Sequence, residues 1–131
     1  MYRLVNVSKT YGKGNGSVNV LKSVSLSFPD VGLVSILGKS GSGKSTLLNM
    51  ITGLDSPTSG HIYFQNKDLN KFKNKERKVY QNQTIGILFQ HFNLFNDLTC
   101  LENVMLPSLV KGTSNLECKK RATELFKQYH L

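Results

Sequence analysis

The stretch Gly38-Lys39-Ser40-Gly41-Ser42-Gly43-Lys44-Ser45 decides the fold of this chain. It fits the spacing G-x-x-x-x-G-K-[ST]. Before it runs Leu33-Val34-Ser35-Ile36-Leu37, apolar with little alternation, the pattern of a strand covered on both faces. From Lys44 the pattern turns helical, with Leu47, Leu48, Met50 and Ile51 on a helical period that stops at Gly53. A strand before and a helix after are the context that makes this spacing a phosphate-binding loop. The expected fold class is therefore α/β, with a P-loop NTPase core.

The chemistry explains the residue types. Glycines tolerate positive φ and put no Cβ between backbone and ligand. Successive N–H groups from Ser42 to Thr46 can then converge as an anion nest, and the helix that follows adds its positive dipole end. The nucleotide-binding set is Gly38, Ser40, Gly41, Ser42, Gly43, Lys44, Ser45 and Thr46. Lys44 is expected to reach the β- and γ-phosphates, and the Ser45 hydroxyl to ligate Mg²⁺. The plain alternative is a glycine-rich turn that binds nothing. The loop alone specifies a nucleoside triphosphate with Mg²⁺; it distinguishes neither ATP from GTP nor kinase from GTPase or ATPase.

Working outward, Tyr2–Val7, Val20–Phe28 and His61–Gln65 read as strands of an antiparallel portion. Val24, Leu26 and Phe28 alternate with Ser23, Ser25 and Ser27, the period of a half-buried strand. Tyr11–Asn19 reads as a glycine-containing loop and Ser56–Gly60 as a turn. Thr84–Phe89 reads as a second buried strand of the core. Thr99 and Glu102 form a capping box ahead of a helix that Pro107 is expected to kink or end. Ser114 and Glu117 form a second box. The helix after it places Cys118, Ala122, Leu125, Phe126 and Tyr129 on one face and is expected to run to Leu131 without a C-cap.

The length of 131 residues and a hydrophobic fraction of 39% fit one ordinary domain. No apolar run approaches the roughly 20 residues that span a bilayer, and the N-terminus lacks the regions of a signal peptide. The expectation is a soluble, cytosolic chain. Cys100 and Cys118 have no metal-ligand spacing and read as reduced thiols. The net charge of +9 favours acidic partners. It is spread along the chain, densest over Lys67–Lys78 with six basic and two acidic residues. That stretch has few aromatics for stacking bases and reads as a solvated surface, so no nucleic-acid partner is expected.

Lys9-Thr10-Tyr11, the loop Gly38–Thr46, Thr52-Gly-Leu-Asp-Ser-Pro-Thr-Ser-Gly60 and Ile85-Gly-Ile-Leu-Phe-Gln90 together resemble the nucleotide-binding domain of ABC transporters, over nearly the whole chain. Phe89-Gln-His-Phe-Asn-Leu-Phe-Asn-Asp-Leu-Thr99 and Leu101-Glu-Asn-Val-Met-Leu-Pro107 look like the lipoprotein-release and macrolide or antimicrobial-peptide exporter branch. The resemblance implies ATP as the nucleotide. It implies that Tyr11 stacks on adenine, for which a flat amphipathic ring is suited; a buried anchor at a strand end is the alternative. It implies that Gln90 contacts Mg²⁺ and the attacking water, which an amide can do through its oxygen while donating through nitrogen. Phe92, Leu94 and Phe95 fall where such domains meet the permease, or else form local core. His61, His91 and His130 match no catalytic position.

Three elements of the family pattern do not occur in residues 1–131: the Leu-Ser-Gly-Gly-Gln signature, an apolar strand ending in Asp-Glu, and a switch histidine after it. The expectation is an N-terminal part of one ABC-type nucleotide-binding domain, with a P-loop core, an antiparallel β subdomain and the start of an α-helical subdomain. The resemblance implies that the complete domain is an ATPase that couples ATP hydrolysis to membrane export or extraction, and that residues 1–131 alone bind ATP with little or no turnover. The implied partners are a transmembrane permease and a second nucleotide-binding domain in a head-to-tail dimer, on the inner face of the cell membrane. Two other readings stand: a non-hydrolysing nucleotide-binding module, and a soluble ABC-type ATPase of DNA repair or translation.

Overall fold

The computed structural model describes residues 1–130. The chain divides into two compact units, Met1–Gly86 and the segment from Ile87 onward. The first contains β1 (Tyr2–Tyr11), β2 (Val18–Phe28), α1 (Lys44–Ile51), β3 (Ser59–Phe64), β4 (Lys67–Asp68) and α2 (Asn74–Gln83), with short 3₁₀ turns at Gly14–Gly16 and Leu69–Lys71. The second contains α3 (Cys100–Val110) and α4 (Asn115–Gln128).

The four strands form one antiparallel sheet in the order β2-β1-β3-β4. The alternation expected over Val24–Phe28 is present, with the serines outward. β1 is longer than its apolar pattern: Lys9, Thr10 and Tyr11 pair with Leu21, Asn19 and Val18, so Tyr11 ends a strand and does not open a loop. Asn6, at φ 49, sits at an irregularity between Leu4 and Val7. There the backbone leaves its regular pleat, and Leu4 and Val7 both become fully buried. Gly60 backs this point. A Cβ on it would stand 2.2 Å from the Asn6 carbonyl oxygen, and its φ is +83. The β3–β4 hairpin turns through Gln65 and Asn66, both at positive φ, as a two-residue turn requires.

The core of this unit joins sheet and helices. Leu4, Val7, Leu21 and Ile62 meet Leu47 and Met50 of α1, Leu69, and Tyr80 of α2. Tyr2, Phe64, Tyr80 and Phe72 stack along one side, with successive ring centroids 4.8, 5.4 and 5.8 Å apart. Each fully buried aliphatic side chain contributes on the order of 1.5–3 kcal/mol over its exposed state. In the second unit Met105, Cys118 and Ala122 form a small cluster between α3 and α4.

Several sequence expectations are corrected. Leu33–Leu37 and Thr84–Phe89 are not strands among the described residues, and Leu33, Leu37 and Leu88 are 95%, 89% and 94% exposed. Only Ile36 and Ile85 pack on the core. A covered strand exists only where neighbours pair its backbone, and the sole sheet among the described residues is the antiparallel one. Pro107 lies inside α3 and does not end it; the helix continues to Val110 and closes on Gly112 at φ +87. Proline has no N–H, so the helical bond to the Asn103 carbonyl is not made there. The last helix ends at Gln128, where the Tyr129 N–H caps Leu125 and His130 takes the left-handed conformation; Leu131 lies outside the described residues. The Thr99–Glu102 capping box is complete. At the second box Ser114 accepts from the Glu117 N–H at 3.3 Å, and the reciprocal bond is not made.

Candidate nucleotide site

The loop between Gly38 and Lys44 is built by its glycines. Gly41 and Gly43 have φ +76 and +92, and the Ser42 N–H donates to the Lys39 carbonyl at 3.3 Å. A Cβ at Gly38 would stand 2.7 Å from Ser42 Oγ. At Gly43 it would stand 2.9 Å from Leu21 Cδ2 and 3.2 Å from the Val20 carbonyl. The loop therefore lies directly against β2. Gly43 is also the N-cap residue of α1 and offers no side chain to its free N–H groups, which stay available to an anion.

Lys44 folds back across the loop. Its Nζ donates to the carbonyls of Gly38 at 2.9 Å and Lys39 at 2.7 Å, with Ser42 Oγ at 3.5 Å. The ammonium is thus held by neutral acceptors, and among the described residues no carboxylate pairs with it. Ser40, Gly41, Ser42 and Ser45 are exposed, while Thr46 is half-buried. Open backbone, a cation and a helix start are thus brought together, groups that can receive a phosphate chain. Leu47 and Met50 fix α1 from below. α2 grips its other end. The Tyr80 hydroxyl donates to the Ile51 carbonyl at 2.6 Å, and Arg77 and Gln81 donate to the Gly53 carbonyl at 3.1 and 2.9 Å. Carbonyls at the end of a helix otherwise lack partners.

Tyr11 is 41% exposed, so it is not a buried anchor. Its hydroxyl donates to Asp55 Oδ2 at 2.7 Å. Lys9 Nζ lies 4.8 Å from the centre of the Tyr11 ring and donates to Asp55 Oδ1 at 2.6 Å and to the Ser56 carbonyl at 2.7 Å. Burial pushes the Asp55 carboxyl up, but hydrogen bonds from Lys9, Tyr11 and the Ser56 N–H outweigh it and hold the group below the usual carboxylate range. Lys9 pairs with Leu21 across the hairpin, and Tyr11 with Val18. The hairpin end that carries Tyr11 is therefore continuous with the residues packed under Gly43. Lys9 and Asp55 carry no role in the sequence reading; neither sits in a spacing that announces one.

Gln90 is exposed and belongs to the second unit, whereas the loop belongs to the first. Phe92, Leu94 and Phe95 are 82%, 63% and 59% exposed, which removes the local-core reading for them. The segment from Phe95 to Thr99 is fastened to α3 by one side chain. Asn103 accepts from the Phe95 N–H at 2.8 Å and donates to the carbonyls of Phe95, Leu98 and Thr99 at 3.0–3.1 Å. His61 pairs with Asp68 at 2.9 Å on the edge of the sheet, and His91 and His130 are exposed. Among the described residues no group of His, Cys, Asp or Glu is arranged to hold a metal ion, and Cys100 and Cys118 are free.

The loop, its helix and the antiparallel sheet define a nucleotide-binding cassette, and the chain belongs to the ABC transporter family, whose pattern it matches over residues 21–131. It is 44% identical to the ABC transporter ATP-binding protein MJ0796 of Methanocaldococcus jannaschii, an alignment that covers all of this chain and 57% of that protein. It is 39% identical to the lipoprotein-releasing system ATP-binding protein LolD of Wigglesworthia glossinidia brevipalpis, over 92% of this chain and 52% of that one. The methionine import ATP-binding protein MetN of Bradyrhizobium diazoefficiens is 36% identical, over 95% of this chain and 36% of its own. The fold superposes with a TM-score of 0.87 on a dimeric post-hydrolysis structure of MJ0796 bound to ADP and Pi, covering 100% of this chain and 58% of that one. The expected fold class stands, and the chain spans little more than half the length of the first two of these relatives.

Proposed function

We propose that this chain binds Mg·ATP through the Gly38–Thr46 loop, as part of the ATP-binding subunit that drives an ABC transporter. The observation that carries this reading is the loop itself, closed around the Lys44 ammonium 2.7 Å from the Lys39 carbonyl. In this reading Lys44 turns from its loop carbonyls to the β- and γ-phosphates. The N–H groups from Ser42 to Thr46 hold phosphate oxygens, and Tyr11 stacks on the adenine. The Ser45 hydroxyl is the loop's own metal ligand, with Gln90 as a second, and bound Mg²⁺ neutralises phosphate charge there. Such charge-assisted hydrogen bonds contribute about 1.5–3 kcal/mol each.

The domain assignment is the N-terminal part of one nucleotide-binding domain, spanning 1–131. It pairs in the complete protein with a second such domain and with a membrane permease. LolD, a relative named for lipoprotein release, favours an exporter or extractor of that branch. The exposed Phe92, Leu94 and Phe95 supply an apolar surface for the permease. Among the described residues no helix is long and apolar enough to cross a membrane; the reading places the domain on the inner face of the membrane, against that partner. Residues 1–131 contain no acidic strand end for a catalytic carboxylate, so this chain binds ATP with little or no turnover.

Titration calorimetry with Mg·ATP tests the binding reading. The expected result is saturable binding that Lys44→Ala weakens by about one to two decades. Equal affinity in the two proteins overturns it. Turnover by the pure 131-residue chain that Lys44→Ala abolishes would refute the binding-only part.

A further inference from the structure

We infer that Asp55, together with Lys9, positions the Tyr11 ring, fixing its plane and leaving one face for a purine base. This rests on the reading of Tyr11 as the stacking ring and goes beyond it by naming what holds the ring in place.

A tyrosine at the end of a strand and 41% exposed has two free side-chain rotations. A ring that turns freely must be ordered when a base lands on it, and ordering a side chain costs affinity. Here both rotations are tied. The hydroxyl at the far end of the ring donates to Asp55 Oδ2 at 2.7 Å, which fixes where the ring points. The Lys9 ammonium covers one face, 4.8 Å from the ring centre, in the geometry of a cation–π contact. The base is left with the opposite face.

The clamp is itself fixed. Asp55 Oδ1 accepts from Lys9 at 2.6 Å and from the Ser56 N–H at 2.7 Å. Lys9 also donates to the Ser56 carbonyl. The turn that carries Asp55 is stitched to β1 on its far side, where Thr58 Oγ1 accepts from the Thr10 N–H at 3.0 Å and the Thr58 N–H donates to the Ser8 carbonyl at 2.9 Å. Asp55 lies four residues beyond the end of α1, the helix that the phosphate loop opens, and its N–H donates back to the Asn49 carbonyl of that helix at 3.0 Å. One continuous segment, Gly43 to Thr58, thus runs from the phosphate loop to the residues that hold the ring.

The test is calorimetric titration of the 131-residue chain with two probes, ATP and inorganic tripolyphosphate, in Asp55→Ala, Tyr11→Phe, the double variant and Tyr11→Ala. Tyr11→Phe keeps the ring and removes its anchor. Asp55→Ala and Tyr11→Phe are each expected to weaken ATP binding by about threefold to tenfold, the size of one hydrogen bond's net effect. Tripolyphosphate binding should be unchanged in both, and the double variant should be no worse than either single one. If ATP affinity falls only together with tripolyphosphate affinity, Asp55 is merely structural and the inference fails. It also fails if Tyr11→Ala weakens ATP while Asp55→Ala and Tyr11→Phe do not. If Tyr11→Ala leaves ATP binding intact, the stacking reading is what falls, and the inference falls with it. Should Asp55→Ala not fold, Tyr11→Phe removes the same bond from the exposed side and decides the matter alone.

Discussion

The Lys44 ammonium lies 2.7 Å from the carbonyl oxygen of Lys39, within the loop that this lysine terminates. The loop is thereby closed on its own cation, which adds a side-chain tether to the shape that its glycines set. Lys44→Met keeps the aliphatic stem and removes the tether. The Ser42 amide, bonded to the same Lys39 carbonyl, should then exchange its hydrogen about threefold to tenfold faster, the worth of about 1 kcal/mol. Hydrogen exchange read at Ser42 by NMR checks this; unchanged protection counts against the tether.

Gly43→Ala should damage folding and binding together. Its φ of +92 disfavours any side chain, and the new Cβ would meet Leu21 Cδ2 at 2.9 Å and β2 backbone at 3.2 Å. A loss of about 1–3 kcal/mol is expected in urea unfolding. Gly112 also has positive φ, +87, but open space around it, so Gly112→Ala should cost less. Equal losses at the two sites would show that φ, and not contact with β2, governs the first.

Core truncation should separate the two faces of α1. Leu47 is buried and Leu48 is 49% exposed. Leu47→Ala should cost about 2–5 kcal/mol by cavity formation, and Leu48→Ala should stay within about 0.5 kcal/mol. Paired denaturation curves measure the difference.

The tyrosine pair makes stability fall in alkali. Tyr80 donates to the Ile51 carbonyl, so Tyr2 donates to Tyr80, with the two hydroxyls 2.6 Å apart. Burial pushes both phenols above the ordinary value, and for Tyr80 the Tyr2 hydroxyl adds to the rise. A folded-state value above the unfolded one gives a contribution fully present below the unfolded pKa of about 10, lost as pH rises through the folded value. Unfolding free energy should therefore decline above about pH 10, and Tyr80→Phe should flatten that decline. A parallel pH profile for wild type and Tyr80→Phe would sink the assignment.

Asp55 acts with the opposite sign. Its folded value is depressed, so its contribution is present above the unfolded value of about 3.9 and is lost as pH falls through the folded one. Below about pH 4 the wild type should lose stability faster than Asp55→Asn. Acid denaturation followed by circular dichroism compares them.

The phosphate loop and α1 are legible in the sequence because their signals are local. Glycine at 41 and 43 is demanded by backbone angles, and Lys44 belongs to the same short spacing. The Thr99–Glu102 box is legible for the same reason, since both partners lie within one turn. What failed is non-local. An apolar run such as Leu33–Leu37 becomes a strand only beside paired neighbours, and nothing inside the run says where they are. The reach of β1 to Tyr11 depends on partners in β2, and the polar Lys9 and Thr10 hide it. Asp55 lies 44 residues from Tyr11, so the bond between them leaves no pattern in the chain.

Asn103 gives the second unit a mechanical property. It holds the Phe95 backbone on both sides, taking its N–H at 2.8 Å and giving to its carbonyl at 3.1 Å. The same amide reaches Leu98 and Thr99. The backbone under the exposed Phe95 ring is thereby tied to α3 through a single asparagine, so Asn103→Ala would release four bonds at once.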